Sequence, residues 1–200
     1  MTATIAELSL ARAASLKDAL AYLRHHPDAR PLAGGTDVLV QAAAGKAPAH
    51  GFLDVSRIPE LAGIHGTQDA FRIGAAAPLS ALREHALLAA ELPMLAEAAR
   101  WTGGWAIQNR ATLGGNVANA SPAADGAPPL LAYGATMELA AHDGVRTLPY
   151  DAFHQGYRRT ALRPGELIVA FVVPRRPGGV GLFRKVGPRR AQAISKVSFA

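Results

Sequence analysis

The sequence predicts an α+β fold with two subdomains and a cleft between them. Three observations support this: a compact β-α-β pattern near the N-terminus, a run of hairpin-like and helical segments after it, and two glycine pairs. The pairs, Gly34-Gly35 and Gly114-Gly115, are 80 residues apart, and each lies where strand-like and helix-like segments meet. With half of its 200 residues hydrophobic, the chain can bury a sizeable core.

The first subdomain is predicted to cover residues 1–57. A capping box at residues 15–18 precedes apolar residues with helical spacing, and short apolar runs bounded by glycine and proline are typical of strands. The predicted elements are a helix from Ser15 that stops at Pro27, a strand over 30–33, a helix capped by Thr36 that runs to Gly45, and a strand over 52–55.

The larger second subdomain is predicted to cover residues 58–174, and residues 175–200 would begin a further domain. An Asp143-Gly144 pair between alternating segments is a hairpin signature, and Pro174 ends the last strand. The predicted elements are strands over 63–66 and 71–75, helices over 78–90, 93–101 and 127–133, and strands over 136–141, 145–148 and 166–173.

The amino-acid composition excludes several kinds of functional site. The absence of cysteine excludes disulfides, thiolate zinc sites and cysteine-ligated iron–sulfur clusters within this chain. The seven histidines are scattered without metal-ligand spacing, so we expect no metal site. No apolar run approaches the roughly 20 residues of a membrane-spanning helix, and the N-terminal stretch, Met1 to Leu10, lacks a basic start, which makes the cytoplasm the default location.

The net charge of +6 is unevenly distributed. Residues 158–200 contain 10 of the 21 Lys/Arg residues and a single acid, Glu166, for a net charge of +9, which leaves −3 on the rest of the chain. Such a segment could bind nucleic acid or an acidic partner. Because apolar residues at 167–173 and 182–183 interleave with the charges, a solvated strand face is the preferred interpretation.

The first glycine pair lies in Pro31-Leu-Ala-Gly34-Gly35-Thr36-Asp37. Glycine permits positive φ and close backbone approach, so successive N–H groups can hold an anion such as a pyrophosphate, and a helix start adds partial positive charge. The segment matches neither G-x-G-x-x-G nor a lysine-containing Walker loop. Taken alone, it fits an ordinary tight turn equally well.

The second glycine pair lies in a long segment, Gln108 to Asp125, that is rich in small polar residues. A loop of this length inside a compact domain is usually functional. Asp125 could accept hydrogen bonds from cofactor hydroxyls or cap a helix before Ala127, and the spacing leaves both open. Further hydroxyl and amide groups come from Thr112, Asn116, Asn119 and Ser121. Together the two glycine segments predict a dinucleotide held from both sides of the cleft.

The chain also resembles the FAD-binding subunit of the molybdenum-containing hydroxylases, the family of xanthine dehydrogenase, aldehyde oxidoreductases and carbon monoxide dehydrogenase. The matching motifs occur in the family's order over essentially all 200 residues. They are Pro31-Leu-Ala-Gly-Gly-Thr-Asp37, Asp54-Val-Ser-Arg-Ile-Pro-Glu-Leu61, Ile73-Gly-Ala-Ala75, Asn109-Arg-Ala-Thr-Leu-Gly-Gly-Asn116, Ser121-Pro-Ala-Ala-Asp125 and Gly156-Tyr-Arg-Arg-Thr160.

The resemblance implies the two-subdomain FAD-binding fold of the vanillyl-alcohol-oxidase (PCMH) type, and it assigns cofactor contacts without any catalytic base. Thr102 and Lys185 would lie near the flavin, with Arg184 as the rival to Lys185, and Ile168 would touch the flavin or adenine side. Asp125 would bind sugar or ribityl hydroxyls. The pyrophosphate would contact Leu32, Ala33, Gly34, Gly35, Thr36, Asp37, Val38 and Leu39 on one side and Thr112, Gly114, Gly115 and Asn116 on the other.

The implied function is an electron-transferring flavoprotein subunit, an oxidoreductase component. A molybdopterin-binding large subunit would oxidise the substrate, [2Fe-2S] clusters in an iron–sulfur small subunit would pass electrons to FAD in this chain, and NAD or another acceptor would receive them. The family also has a C-terminal domain of roughly another 80 to 100 residues, the size of a small domain. That domain is expected to be largely absent here, because the sequence stops at Ala200.

Three alternatives remain open from the sequence. A free-standing flavin oxidase would need a catalytic base over the flavin, and apart from Tyr157 the matched segments contain no His or Tyr. A nucleic-acid-binding protein would use the basic residues of 158–200 and bind with a steep salt dependence. A degenerate interaction subunit would assemble with its partners without flavin.

Overall fold

The computed structural model describes residues 9–46, 51–189 and 192–200; the first eight residues of the predicted first subdomain lie outside this part. Within it, the helices are α1 Leu16–His25, α2 Val38–Ala43, α3 Leu79–Glu84, α4 Ala86–Glu91, α5 Pro93–Trp101, α6 Trp105–Gln108, α7 Leu113–Ala118 and α8 Ala127–Ala132. The strands are β1 Leu10–Arg12, β2 Arg30–Leu32, β3 Phe52–Asp54, β4 Ile64–Gly66, β5 Ala70–Gly74, β6 Thr136–Ala141, β7 Gly144–Pro149, β8 His154–Gly156, β9 Arg159–Thr160, β10 Leu167–Pro174, β11 Arg184–Val186 and β12 Val197–Phe199.

A small parallel sheet forms the N-terminal part of the molecule. Its order is β1-β3-β2, and β3 pairs in parallel with both neighbours. Ser15 caps α1, since its hydroxyl accepts a hydrogen bond from the Asp18 N–H at 3.1 Å. The helix buries Ala19 and Leu23 in a core that also contains Leu53 and, from the larger sheet, Val169. The two sheets therefore share a packed interface through α1.

A five-stranded antiparallel sheet forms the centre of the molecule, in the order β4-β5-β10-β6-β7. Its central strand β10 is apolar and buried along most of its length, as expected for a strand covered on both faces. The second core lies between this sheet and helices α3, α4, α5 and α8, and includes Phe71, Leu82 and Phe171.

The structure agrees with most predicted elements and differs at several. The α+β class, the β-α-β unit and the β6–β7 hairpin are confirmed. The predicted helix over 78–90 is two helices, because the backbone of His85 is extended and its side chain caps α4. The predicted Thr36 cap is wrong: Asp37 is the N-cap residue of α2, and its side chain forms no capping hydrogen bond. Within residues 158–200, β10 is buried, whereas the basic residues Arg159, Arg163 and Arg176 on either side of it are exposed.

Two short ribbons complete the described part. One is the β8–β9 hairpin, whose turn contains Arg158 at φ +52°, and the other pairs β11 with β12 near the C-terminus. Neither was predicted, because strands of two or three residues carry little periodic signal. No helix in the described residues is long and apolar enough to span a membrane.

Candidate cofactor-binding site

A cavity of about 360 Å³ lies between the small sheet, the start of β10 and helix α7. This volume falls within the roughly 300–1,000 Å³ of small-molecule sites. Most of the predicted contact residues line it. They are Ala33, Gly34, Gly35, Thr36, Asp37, Val38, Thr102, Thr112, Gly114, Gly115, Asn116 and Ile168.

The loop after β2 presents main-chain donors to this cavity. Within the described part of the chain, the N–H groups of residues 34–37 have no hydrogen-bond acceptor, although the loop lines the cavity. Gly35 has φ +77°, which turns the chain at a value that other residues rarely adopt. Four successive free donors beside a concavity suit an anion.

Gly34 brings the two predicted segments into contact. A Cβ atom on Gly34 would lie 1.8 Å from the carbonyl oxygen of Arg110, so only glycine permits the loop to cross the chain there. The crossing places the loop directly beside the start of the second glycine segment, and the prediction that both segments border one cleft is confirmed.

The second glycine pair differs from its prediction. Gly114 and Gly115 are in the first turn of α7 rather than in a sharp bend, and the first-turn N–H groups already have acceptors. Gly114 donates to the Ala75 carbonyl at 2.9 Å, and Gly115 donates to the Thr112 hydroxyl at 3.0 Å. The expected convergence of amides from two bends is therefore wrong; the free amides come from the first loop alone.

The glycines of α7 instead allow other groups to approach this helix closely. A Cβ on Gly114 would lie 2.6 Å from the Ala75 carbonyl oxygen, whereas a Cβ on Gly115 would meet only the Thr112 hydroxyl, at 3.1 Å. Gly114 thus lets α7 pack against the residues that follow β5. Gly115 leaves the cavity wall flat.

The polar side chains predicted in the second segment are largely engaged within the chain. Thr112, Asn116, Asn119 and Ser121 each accept a hydrogen bond, and the bond to Asn119 comes from Gln41 of α2, at 3.1 Å. The other acceptors are the side-chain oxygens of Thr112, Asn116 and Ser121. The segment is a capped helix with ordered turns rather than a long open loop.

Thr102 and Ile168 line the cavity, and their contacts with the cofactor stay predictions. The loop that carries Thr102 is held by the buried amide of Gln108, which donates to the carbonyls of Arg100 at 2.8 Å and Gly103 at 3.2 Å. Ile168 lies beside a register shift of β10, and bulges of this kind often occur next to functional sites.

Four predicted contact residues are not in the cavity lining: Leu32, Leu39, Asp125 and Lys185. Asp125 and Lys185 instead form a buried ion pair, with Oδ2 and Nζ 2.5 Å apart. The other carboxylate oxygen of Asp125 accepts a hydrogen bond from Ser195, and Lys185 also donates to the Trp101 carbonyl at 3.0 Å. Asp125 does not cap α8, which begins after Gly126 without a side-chain cap.

Sequence reasoning missed the wall formed by the end of α1 and the turn before β10. The apolar part of this wall includes Leu23 and Pro27, and the polar part is Arg30, Arg163 and Glu166. No motif indicated these residues, because they converge from separate elements. Burial and the nearby Arg158 charge lower the pKa of Arg30, and Asp37 acts in the opposite direction.

Glu166 is a carboxylate held in its charged form. Burial opposes its ionisation, but hydrogen bonds from the Arg146 side chain and the Arg163 N–H outweigh burial and lower the pKa of Glu166. Arg146 contacts both carboxylate oxygens, at 2.6 and 2.8 Å. With these partners in place, Glu166 shapes the cavity wall rather than offering a free base.

Comparison with known proteins identifies the class to which this site belongs. The family described as the FAD binding domain in molybdopterin dehydrogenase matches residues 6–176. The chain therefore belongs to this family, and FAD is the cofactor that the family binds.

Individual similar proteins are described in terms of the same class. The chain is 40% identical over 167 residues to the xanthine dehydrogenase FAD-binding subunit of Escherichia coli, a match that covers 83% of this chain and 57% of that protein. It is 34% identical over 192 residues to the carbon monoxide dehydrogenase medium chain of Afipia carboxidovorans, covering 93% and 67%. The structure matches reconstituted CO dehydrogenase from Oligotropha carboxidovorans with a TM-score of 0.91 and 32% identity, over 96% of this chain and 67% of that chain. The chain thus spans about three-fifths to two-thirds of the length of these relatives.

The cavity fits FAD on its own features. The free amides of residues 34–37 suit a diphosphate, and the flat wall at Gly115 leaves room for a ligand against α7. The apolar residues of the lining, among them Leu23, Val55 and Ile168, suit planar rings.

Proposed function

We propose that this chain is the FAD-binding electron-transfer subunit of a molybdenum hydroxylase complex, with the cytoplasm as its compartment. The observation that carries the proposal is the row of four free amides at residues 34–37 facing a cavity in a chain of the FAD-binding family. Bound FAD supplies a junction that accepts electrons singly and releases them in pairs.

The residues of this chain bind and orient the cofactor. The amides of residues 34–37 would hold the diphosphate, and Gly115 would let the ligand lie against α7. Thr102 and Ile168 would contact the rings. Because Glu166 is already paired with Arg146, the chain supplies position and electrostatics rather than proton transfer.

The proposed partners are a molybdopterin-binding large subunit and an iron–sulfur small subunit, with NAD or another compound as the electron acceptor. This assignment is supported by the relatives, which are described as subunits of xanthine and carbon monoxide dehydrogenases. The domain division at residues 57 and 174 is part of the same proposal.

The structure gives less support to a flavin oxidase or to a nucleic-acid-binding protein. A flavin oxidase needs a base beside the flavin, and the described cavity lining contains neither His nor Tyr. A nucleic-acid-binding role would have fewer of the basic residues of 158–200 available, because Arg175 is paired with Glu91 and Lys185 with Asp125.

The first test is the FAD content of a Gly115→Val variant. The valine side chain would project into the cavity, because Gly115 is exposed there and a Cβ would meet only Thr112. We expect wild-type protein to retain FAD and the variant to lose it, measured by visible absorption after gel filtration.

The matched control is Ala132→Val, at an exposed position at the end of α8. It introduces the same side chain into a helix away from the cavity and should retain FAD. Gly35→Val is unsuitable, because φ +77° at this position would strain any substitution. Wild-type protein without flavin after reconstitution would overturn the proposed function, and equal FAD content in Gly115→Val would overturn the assignment of the cavity.

A further inference from the structure

Two arginines line the cavity without an ion-pair partner. In the described residues, the guanidinium groups of Arg30 and Arg163 form no hydrogen bond and no ion pair. Arg30 is partly buried, whereas Arg163 is exposed at the rim. Buried charges are normally paired in folded proteins, so the partly buried guanidinium of Arg30 suits an anionic ligand in the cavity, and Arg163 adds positive charge at the same wall.

Neither guanidinium forms a hydrogen bond with the acids near it in the described residues. Asp37 acts on Arg30 through its charge alone, and Glu166, on which the charge of Arg163 acts, already accepts two hydrogen bonds from Arg146. A guanidinium presents five donors suited to phosphate oxygens. Both arginines therefore keep their donors available.

A third arginine increases the positive potential. Arg158 is at the tip of the β8–β9 hairpin with φ +52°, a conformation that is uncommon for residues other than glycine and that often marks functional sites. Its charge acts unfavourably on Arg30. An anion between these groups would relieve that repulsion.

We propose that Arg30 and Arg163 bind the diphosphate of FAD, together with the free amides of residues 34–37, and thereby select FAD over FMN and riboflavin. This inference rests on the proposed function. Arg30 begins β2, and the amides follow at the end of the same strand, so the charged donors and the neutral donors border one wall of the cavity. Arg158 contributes long-range attraction without lining the cavity.

The test compares Arg30→Gln with wild-type protein for binding of FAD, ADP, FMN, riboflavin and inorganic phosphate, each titrated into flavin-free protein. Hydrogen bonds to charged groups contribute about 1.5–3 kcal/mol, so we expect FAD and ADP affinity to fall about 10- to 100-fold. Riboflavin affinity should stay unchanged. Arg163→Gln should cause a smaller loss of the same kind, because Arg163 is exposed.

Two further variants control for charge and folding. Arg158→Gly removes the charge while placing glycine where φ is positive, so it should fold normally and weaken FAD binding a few-fold. Arg159→Gln removes a neighbouring exposed arginine whose side chain lies beside Gly156, and it should bind FAD like wild type. The salt dependence of FAD binding should decrease for Arg30→Gln and stay unchanged for Arg159→Gln.

Each outcome bears on a different statement. If wild-type protein binds no FAD, the proposed function fails. If wild-type protein binds FAD and Arg30→Gln binds FAD and ADP equally well, this inference fails while the proposed function stands. If Arg30→Gln weakens riboflavin as much as FAD, the arginine does not contact the diphosphate and the inference also fails. Competition by inorganic phosphate alone, without discrimination between FAD and FMN, would likewise overturn it.

Discussion

At the scale of single residues, Glu166 shows how a charged group can be part of a cavity wall. Its side chain is 3% exposed and that of Arg146 is 27% exposed. The exposure of this ion pair is therefore intermediate between that of a buried pair and that of a surface pair. Arg146 also donates a hydrogen bond to the Ala161 carbonyl at 2.8 Å. These contacts tie β7 to the turn that precedes β10.

We expect this pair to make folding stability depend on pH. The pKa of Glu166 is lowered in the folded state from its ordinary value of 4.5, so the unfolded chain binds its proton first on acidification. The stabilisation is fully present above about pH 4.5 and is lost as the pH falls through the lower folded pKa. Glu166→Gln should lower the free energy of unfolding at pH 7 by about 1–3 kcal/mol.

Urea denaturation at pH 7 and pH 4 measures both effects. Glu166→Gln should show a weaker acid dependence than wild type, and Asp151→Asn, at an exposed site, should show the wild-type dependence. Equal acid dependence in wild type and Glu166→Gln would contradict the assignment.

At the scale of elements, the site depends on close backbone crossings. The loop after β2 crosses the chain at Arg110, and α7 packs against the residues after β5 at Ala75. At Gly34 and Gly114 a side chain would prevent these approaches. The glycines of the two motifs thus determine where elements can meet, in addition to any role toward a ligand.

Gly34→Ala should separate the crossing segments. A Cβ would lie 1.8 Å from the Arg110 carbonyl oxygen, and overpacking of this kind destabilises proteins by about 1–3 kcal/mol or more. We expect a lower thermal midpoint and reduced FAD content. Gly66→Ala is the matched control, because its Cβ would meet Phe71 at an ordinary 3.4 Å and should leave both quantities near wild type. A Gly34→Ala protein with wild-type stability would show that the crossing can relax without loss.

At the scale of the whole molecule, a buried polar cluster connects the C-terminal ribbon to the body. Lys185 of β11 pairs with Asp125, and Ser195 donates to the same carboxylate from the segment before β12. Both side chains of the ion pair are 5% exposed. This cluster connects residues 175–200 to the segment that follows α7.

Asp125→Asn should therefore destabilise the protein, because Lys185 would lose its counter-charge in a buried place. Breaking one partner of a buried pair lowers stability by about 3–5 kcal/mol. We expect the double variant Asp125→Asn/Lys185→Met to recover part of this loss, and hydrogen exchange in β11 and β12 to increase in the single variant. If the effects of Asp125→Asn and Lys185→Met, each measured alone, simply added up in the double variant, the pair would not be coupled.

The sequence by itself determined the elements with strong local signals and the family. Capping at Ser15, the Asp143-Gly144 turn and the helix after Pro93 follow from local chemistry that needs no distant partner. The motif order pointed to FAD binding, which the family match supports. These features could be predicted because propensity, capping and turn geometry act over a few residues.

Only the tertiary structure decided how the site is built. It placed Gly114-Gly115 inside a helix, where their N–H groups already donate to acceptors within the chain. It paired Asp125 with Lys185. It also brought Arg30, Arg163 and Glu166 to one cavity from separate elements. The sequence could not indicate these contacts, because residues far apart in the chain become neighbours only when the sheets pack. Whether a donor is free depends on which acceptor the fold puts beside it.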